Sequence, residues 1–266
     1  MHYAQNKVLK LKNNSIPYVT FGRGDKTLVI IPGLGDGLKS VKGMAFLLSM
    51  QYHAFAKDYR VYIFSRKSVL PKNCSSLSMA QDLKEALDLV GIKKADFIGI
   101  SQGGTIAQQL ALHYPEVIRK LVLTVTFPRI NDTLEPVIHN WIRFAKKKDY
   151  KNLFIDVTER FYMERSLRML RPFYPLITKY GAPKSYDKFI NMANACLTHD
   201  VYDQLGNIKV PTLVVGGRHD ITTSAEASRE LAAAIPNAKL HIFKNYGHAV
   251  YYETPAFQKN VLKFLK

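Results

Sequence analysis

The residues in this 266-residue chain best placed for chemistry begin with Gly99-Ile100-Ser101-Gln102-Gly103, a G-x-S-x-G pattern. Asp96 to Ile100 before it has the unbroken apolar character of a buried strand, and Gly103 to His113 after it has helical character. A serine in that context sits at the tip of a sharp turn, and glycines two residues to either side keep side chains from colliding across the bend. Ser101 then stands at the start of a helix, where the Gln102 backbone N–H and the helix dipole favour a developing oxyanion. A serine hydroxyl at neutral pH needs a base, and the base needs an orienting acid. Asp220 lies in Gly216-Gly217-Arg218-His219-Asp220 just past the strand Val210 to Val215, and His248 lies in Asn245-Tyr246-Gly247-His248-Ala249 just past Leu240 to Phe243. In a parallel sheet all carboxyl ends face one edge, so the three can converge. Among eight histidines, His248 in its glycine-flanked loop is the best base; His219 adjoins the acid but precedes it in the turn. A second oxyanion donor is expected at the Leu34 N–H, in the glycine-rich loop Pro32-Gly33-Leu34-Gly35-Asp36-Gly37. That loop lacks the Gly-Lys-Ser/Thr ending of a phosphate loop.

The elements that must position these residues follow from the hydrophobic pattern. Val8 to Lys12 and Ile16 to Phe21 read as an opening hairpin; Thr27 to Ile31, Arg60 to Phe64 and Lys120 to Val125 read as further strands. Ser78 is placed to cap a helix running to Val90, with Gly91 ending it. Alternation of strand and helix implies a mostly parallel sheet covered by helices. It stops at Phe127-Pro128 and resumes near Val210, a gap too long for a bare loop. Inside the gap, Leu134, Val137, Ile138, Trp141, Ile142 and Ala145 form one helical stripe, and Tyr150, Leu153, Phe154, Val157 and Phe161 form another. Pro172, Pro175 and Pro183 act as breakers before a third helix with Ser185 as its cap. The expected division is a core of residues 1–126 and 208–266 with a helical insertion at 127–207. Helices Ser224 to Ile235 and Pro255 to Leu265 complete the pattern.

On Gly99-Ile100-Ser101-Gln102-Gly103-Gly104, Gly217-Arg218-His219-Asp220 and Tyr246-Gly247-His248, the chain resembles capped members of the α/β-hydrolase superfamily of the lactonase, esterase and C–C hydrolase type. The resemblance spans nearly the whole chain. It implies an α/β-hydrolase fold with an eight-stranded, mostly parallel sheet flanked by helices, a helical cap at 127–207, and hydrolysis through a serine acyl-enzyme without metal or organic cofactor. Serine at the turn sets it apart from the dehalogenases and epoxide hydrolases of that superfamily, which carry aspartate there. Two loops depart from the pattern: Pro32-Gly33 replaces the usual His-Gly, and Ser65-Arg66-Lys67-Ser68-Val69-Leu70-Pro71-Lys72 replaces a glycine-rich Arg-Gly-x-Gly-x-Ser stretch. Cap residues Trp141, Phe161 and Tyr162 are expected to line the substrate pocket. Glu159 and Glu164 could hold a substrate amine, although paired surface carboxylates are the plainer reading.

The expected substrate is a small carboxylic ester or lactone. C–C cleavage, aminopeptidase activity and acyl transfer remain open because they use the same constellation, and a non-catalytic ligand-binding protein of the same fold is the alternative from another class. Composition excludes other classes: 47% hydrophobic and 22% charged residues rule out disorder, and no apolar run is long enough for a membrane span. Met1 to Lys7 has no apolar stretch of the secretory kind, so a cytoplasmic protein is expected. Cys74 and Cys196 read as reduced structural thiols. The net charge of +17 is spread along the chain, with Lys146-Lys147-Lys148 its only basic run, and no nucleic-acid motif accompanies it.

Overall fold

The structure is a computed structural model that describes residues 3–266; Met1 and His2, at the start of the segment read for a leader, lie outside the described residues. Eight strands form one sheet: β1 (Gln5–Lys10), β2 (Ser15–Phe21), β3 (Lys26–Ile31), β4 (Tyr59–Phe64), β5 (Ala95–Ile100), β6 (Ile118–Thr124), β7 (Thr212–Gly217) and β8 (Lys239–Phe243). Their order is β1-β2-β4-β3-β5-β6-β7-β8; β2 pairs antiparallel with both β1 and β4, and the remaining pairs are parallel. The central strands are continuous apolar runs because both faces are covered. Alternation along β3 sends Val29 and Ile31 into one apolar core and Leu28 and Ile30 into the other.

The helices are α1 (Ala45–Gln51), α2 (Ser76–Val90), α3 (Gln102–His113), α4 (Leu134–Lys146), α5 (Tyr150–Phe161), α6 (Glu164–Leu170), α7 (Tyr174–Tyr180), α8 (Asp187–Leu197), α9 (Ala225–Ala234), α10 (Val250–Glu253) and α11 (Pro255–Leu265). Five of them, α4 to α8, fall within residues 127–207. The Val201 N–H donates to the Pro128 carbonyl at 3.0 Å, which draws the two ends of that stretch together. The α4 stripe is buried at all six of its positions, whereas of the α5 stripe only Leu153 is fully buried.

Local details correct the sequence expectations. Ser75, not Ser78, caps α2; Ser78 returns a reciprocal bond as its third residue, so the two serines form a capping box. Ser224, read as the first residue of its helix, is instead the cap of α9. Ser185 lies two residues before α8, bonding the Asp187 N–H and carboxylate, and Tyr186 takes the cap position. Pro172 and Pro175 do not break the chain into loop. Each occupies the first turn of a short helical segment, where its missing N–H has no intrahelical partner anyway.

Candidate active site

The turn after β5 places Ser101 at φ 52°, ψ −123°, a strained conformation for a residue with a side chain. Its surroundings enforce it. The Ser101 N–H donates to Thr124 O at 2.9 Å and its carbonyl accepts from the Gly104 N–H at 2.7 Å. A Cβ on Gly99 would stand 2.7 Å from both Gly103 O and Gly104 Cα, and one on Gly103 would be 2.0 Å from Ile31 O. The two glycines are therefore what allow α3 to begin immediately behind the serine.

The loops after β7 and β8 meet next. His219 N donates to Tyr246 O at 3.0 Å, and Gly217 packs on Gly247 so tightly that a Cβ would be 2.2 Å from its carbonyl oxygen. This contact sets Asp220 beside His248, with His248 Nδ1 2.9 Å from Asp220 Oδ2. Both side chains are buried. The other donors to the carboxylate are the Thr222 and Thr223 N–H groups, at 2.8 and 3.0 Å, and the Thr223 hydroxyl at 2.7 Å. Burial alone would raise the Asp220 pKa, but the neighbouring His248 charge and these hydrogen bonds outweigh it and hold the carboxyl below its ordinary value. With Nδ1 turned to the carboxylate, Nε2 is the free end of the ring, and it has no hydrogen-bond partner among the described residues. His219 is exposed and takes no part in the pair.

Leu34 and Gln102 each supply the first amide of a helical turn, Leu34 in the 3-10 turn Leu34–Gly37 and Gln102 in α3. Such amides have no carbonyl one turn back and can serve a ligand. A Cβ on Gly33 would lie 3.2 Å from Ser101 Cβ, so the Gly33-Leu34 backbone runs directly past the serine.

The two departing loops hold one another, a feature that single residues in the sequence did not reveal. Asp36, buried in the 3-10 turn, accepts from Ser65 Oγ at 2.5 Å, from the Arg66 N–H at 2.9 Å and from Lys188 Nζ of α8 at 2.9 Å. The Arg66 guanidinium donates to the Pro32 carbonyl at the other end of the same loop. Burial lowers the Arg66 pKa against the raising effect of Asp36.

Ser101 opens onto a cavity of about 270 Å³ walled by Val41, Met44, Leu48 and Ile63 together with aromatic rings. Of the three cap residues expected at the pocket, Phe161 lines it and lies 4.3 Å, centroid to centroid, from the His248 ring. Trp141 packs edge-on behind Phe161 and donates its Nε1–H to Asp156 at 2.7 Å, which accounts for its burial away from the wall. Tyr162 stacks on Tyr252 instead, at 6.4 Å. The tyrosines on the wall are Tyr52, Tyr251 and Tyr252, which no motif in the sequence singles out. Burial pushes the Tyr52 and Tyr251 phenols well above their usual range, so they stay neutral hydrogen-bond donors. Glu159 and Glu164 are both paired with Arg171, at 2.7 and 2.8 Å, and the plainer surface reading holds for them.

The chain belongs to the α/β-hydrolase fold family, whose sequence profile matches residues 26–255. It is 30% identical over 270 residues to the 2-hydroxy-6-oxononadienedioate/2-hydroxy-6-oxononatrienedioate hydrolase 2 of Pseudomonas putida, an alignment covering 94% of this chain and 91% of that protein. Among solved structures, MGS-M2, an alpha/beta hydrolase enzyme from a Medee basin deep-sea metagenome library, superposes with a TM-score of 0.87 at 24% identity, covering 97% of both chains. The enol-lactonase from Burkholderia xenovorans LB400 superposes with a TM-score of 0.84 at 20% identity over 97% of this chain and 99% of that one. These structures share the fold. No helix among the described residues is long and apolar enough to cross a membrane.

Proposed function

We propose that this hydrolase cleaves a small carboxylic ester or lactone through an acyl-enzyme on Ser101, with His248 as base and Asp220 as its orienting acid. The observation that carries the reading is the buried Asp220–His248 pair, whose ring packs on Phe161, a wall residue of the cavity onto which Ser101 opens, and whose Nε2 has no hydrogen-bond partner among the described residues. His248 Nε2 takes the Ser101 proton as Oγ attacks the substrate carbonyl, and the Leu34 and Gln102 N–H groups receive the oxyanion. Each such donor is worth about 3 kcal/mol in a dry site. Imidazolium then protonates the leaving alkoxide, and water activated by the same histidine releases the acid. The rings and aliphatic side chains of the wall favour a compact apolar acyl group, while the neutral Tyr52 and Tyr251 hydroxyls suit an oxygen acceptor on it. The helices of 127–207 act as a cap, since Phe161 closes the cavity from that side.

The Pseudomonas putida relative adds a second reading, hydrolysis of an oxo-dicarboxylate at a carbon–carbon bond with the same three residues. Hydrolysis of a p-nitrophenyl ester series from acetate upward, by wild type and Ser101→Ala side by side, separates the readings. Turnover abolished by Ser101→Ala, and falling as the acyl chain outgrows the cavity, supports the ester reading. Turnover of 2-hydroxy-6-oxononadienedioate with no ester hydrolysis supports the second, and ester turnover retained in Ser101→Ala removes both.

A further inference from the structure

The helical run from Glu164 to Tyr180, formed by α6, a 3-10 turn and α7, has two apolar faces where a surface helix needs one. Leu167 and Tyr174, one heptad apart, face inward and are buried, and the Tyr174 hydroxyl donates to Glu159 at 3.0 Å. Met169, Phe173, Leu176 and Tyr180 follow at steps of four, three and four residues. At about 100° per residue they share a stripe on the side opposite Leu167 and Tyr174. Their exposures are 72, 56, 60 and 71%. Packing within the chain gives no reason for four large apolar side chains in water along one face.

The charges around the stripe indicate what covers it. Arg165, Arg168 and Lys179 are exposed along one of its flanks, and residues 164–184 hold five basic side chains against one acidic. Arg171 is neutralised by Glu159 and Glu164 on the inner side, whereas Arg165 and Lys179 make no ion pair among the described residues, and the Lys179 ammonium lies 5.2 Å over the Tyr180 ring. A second copy would bring a second set of the same basic side chains, Arg165, Arg168 and Lys179, to this face rather than the anionic groups they lack. A bilayer with anionic headgroups satisfies both features, taking the apolar stripe at the acyl boundary and the basic flank among its phosphates.

We propose that residues 164–180 form a membrane-surface element that rests on an anionic bilayer without crossing it. This holds whatever substrate Ser101 serves. The test is co-sedimentation of the full chain with phosphatidylcholine vesicles, with and without about one third phosphatidylglycerol. Binding to the anionic vesicles is expected to exceed binding to neutral ones by about tenfold and to weaken as salt rises. Phe173→Ser with Leu176→Ser is expected to reduce it about tenfold with an unchanged circular-dichroism melt. Arg165→Glu with Lys179→Glu, which alters no buried side chain, is expected to do the same and carries the test alone if the serine pair does not fold. Equal recovery in the pellet with and without vesicles, or equal binding to neutral and anionic vesicles, overturns the proposal. A dimer in light scattering that Phe173→Ser with Leu176→Ser dissociates also overturns it, since a second copy would then cover the stripe.

Discussion

The carboxyl edge of the sheet and the helical stretch 127–207 meet around the same cavity but are fixed by different means. At the sheet edge, backbone contacts set the proposed catalytic residues: Ser101 N–H to Thr124 O, His219 N–H to Tyr246 O, and two backbone N–H groups on Asp220. The helical stretch is tied to the core largely through side chains, by Lys188 to Asp36, by the Ser166 hydroxyl to Glu253 and by aromatic packing of Phe161 on His248, beside one main-chain bond from the Ala249 N–H to Phe161 O. The difference separates two tasks. The proposed catalytic residues, which would have to meet within tenths of an ångström, are held by the main chain, and the helices proposed to select what enters are left to exchangeable side chains.

Four changes probe that division. The largest effect is expected at the sheet edge: Asp220→Asn removes the carboxylate that fixes the His248 tautomer, and kcat is expected to fall about 10⁴-fold in stopped-flow ester hydrolysis. Where the two regions join, Asp36→Asn releases Lys188 and loosens the loop carrying Leu34. Its expected signature is a roughly 10- to 100-fold loss in kcat with little change in KM, together with a lower Tm. If kcat holds while KM rises, the helical side governs only entry and the comparison must be redrawn.

The third change concerns His199, buried beyond α8, where burial lowers the pKa to about 4 and Nδ1 lies 2.8 Å from the Ser76 hydroxyl. Between the ordinary histidine range near 6.5 and about 4 the unfolded chain binds a proton that the folded one refuses. Stability is therefore full above that range and lost as pH falls through it, by on the order of 3 kcal/mol in all. Thermal melts from pH 7 to 5 are expected to slope less in His199→Gln than in wild type. Asp220, held below its ordinary pKa, adds a loss only at lower pH, from the ordinary aspartate range down to its own depressed value, where the unfolded chain binds a proton that the folded one refuses. The smallest effect is expected at Glu159→Gln: its partner Arg171 is exposed, so Tm should move by less than about 1 kcal/mol equivalent and kcat/KM should stay unchanged. A clear loss of activity there would return Glu159 to the substrate.

Legibility in the sequence follows the same line. Ser101, Asp220 and His248 could be read because each sits at the carboxyl end of an apolar run and beside glycines that only a tight turn explains. The order of elements through the core was legible for the same reason, down to the Gly91 stop and the start of α11 at Pro255. Contacts across the chain were not. Asp36 and Lys188 are 152 residues apart, and neither differs in type from a surface charge. The helices α6 and α7 were hidden because Pro172 and Pro175 read as breakers until their places in first turns are known. Trp141 was expected in the pocket, yet its stripe position on α4 turned it into the core, while Tyr52 and Tyr251, which no motif marks, line the cavity.

In the proposed mechanism, the turn after β5 and the Asp220–His248 pair make Ser101 a nucleophile. The most direct measurement is mass-spectrometric mapping of a fluorophosphonate adduct on wild type and His248→Ala. The account expects a single adduct on Ser101 in wild type and labelling slowed by orders of magnitude in His248→Ala. No adduct, or one on another residue with Ser101 unmodified, would contradict it.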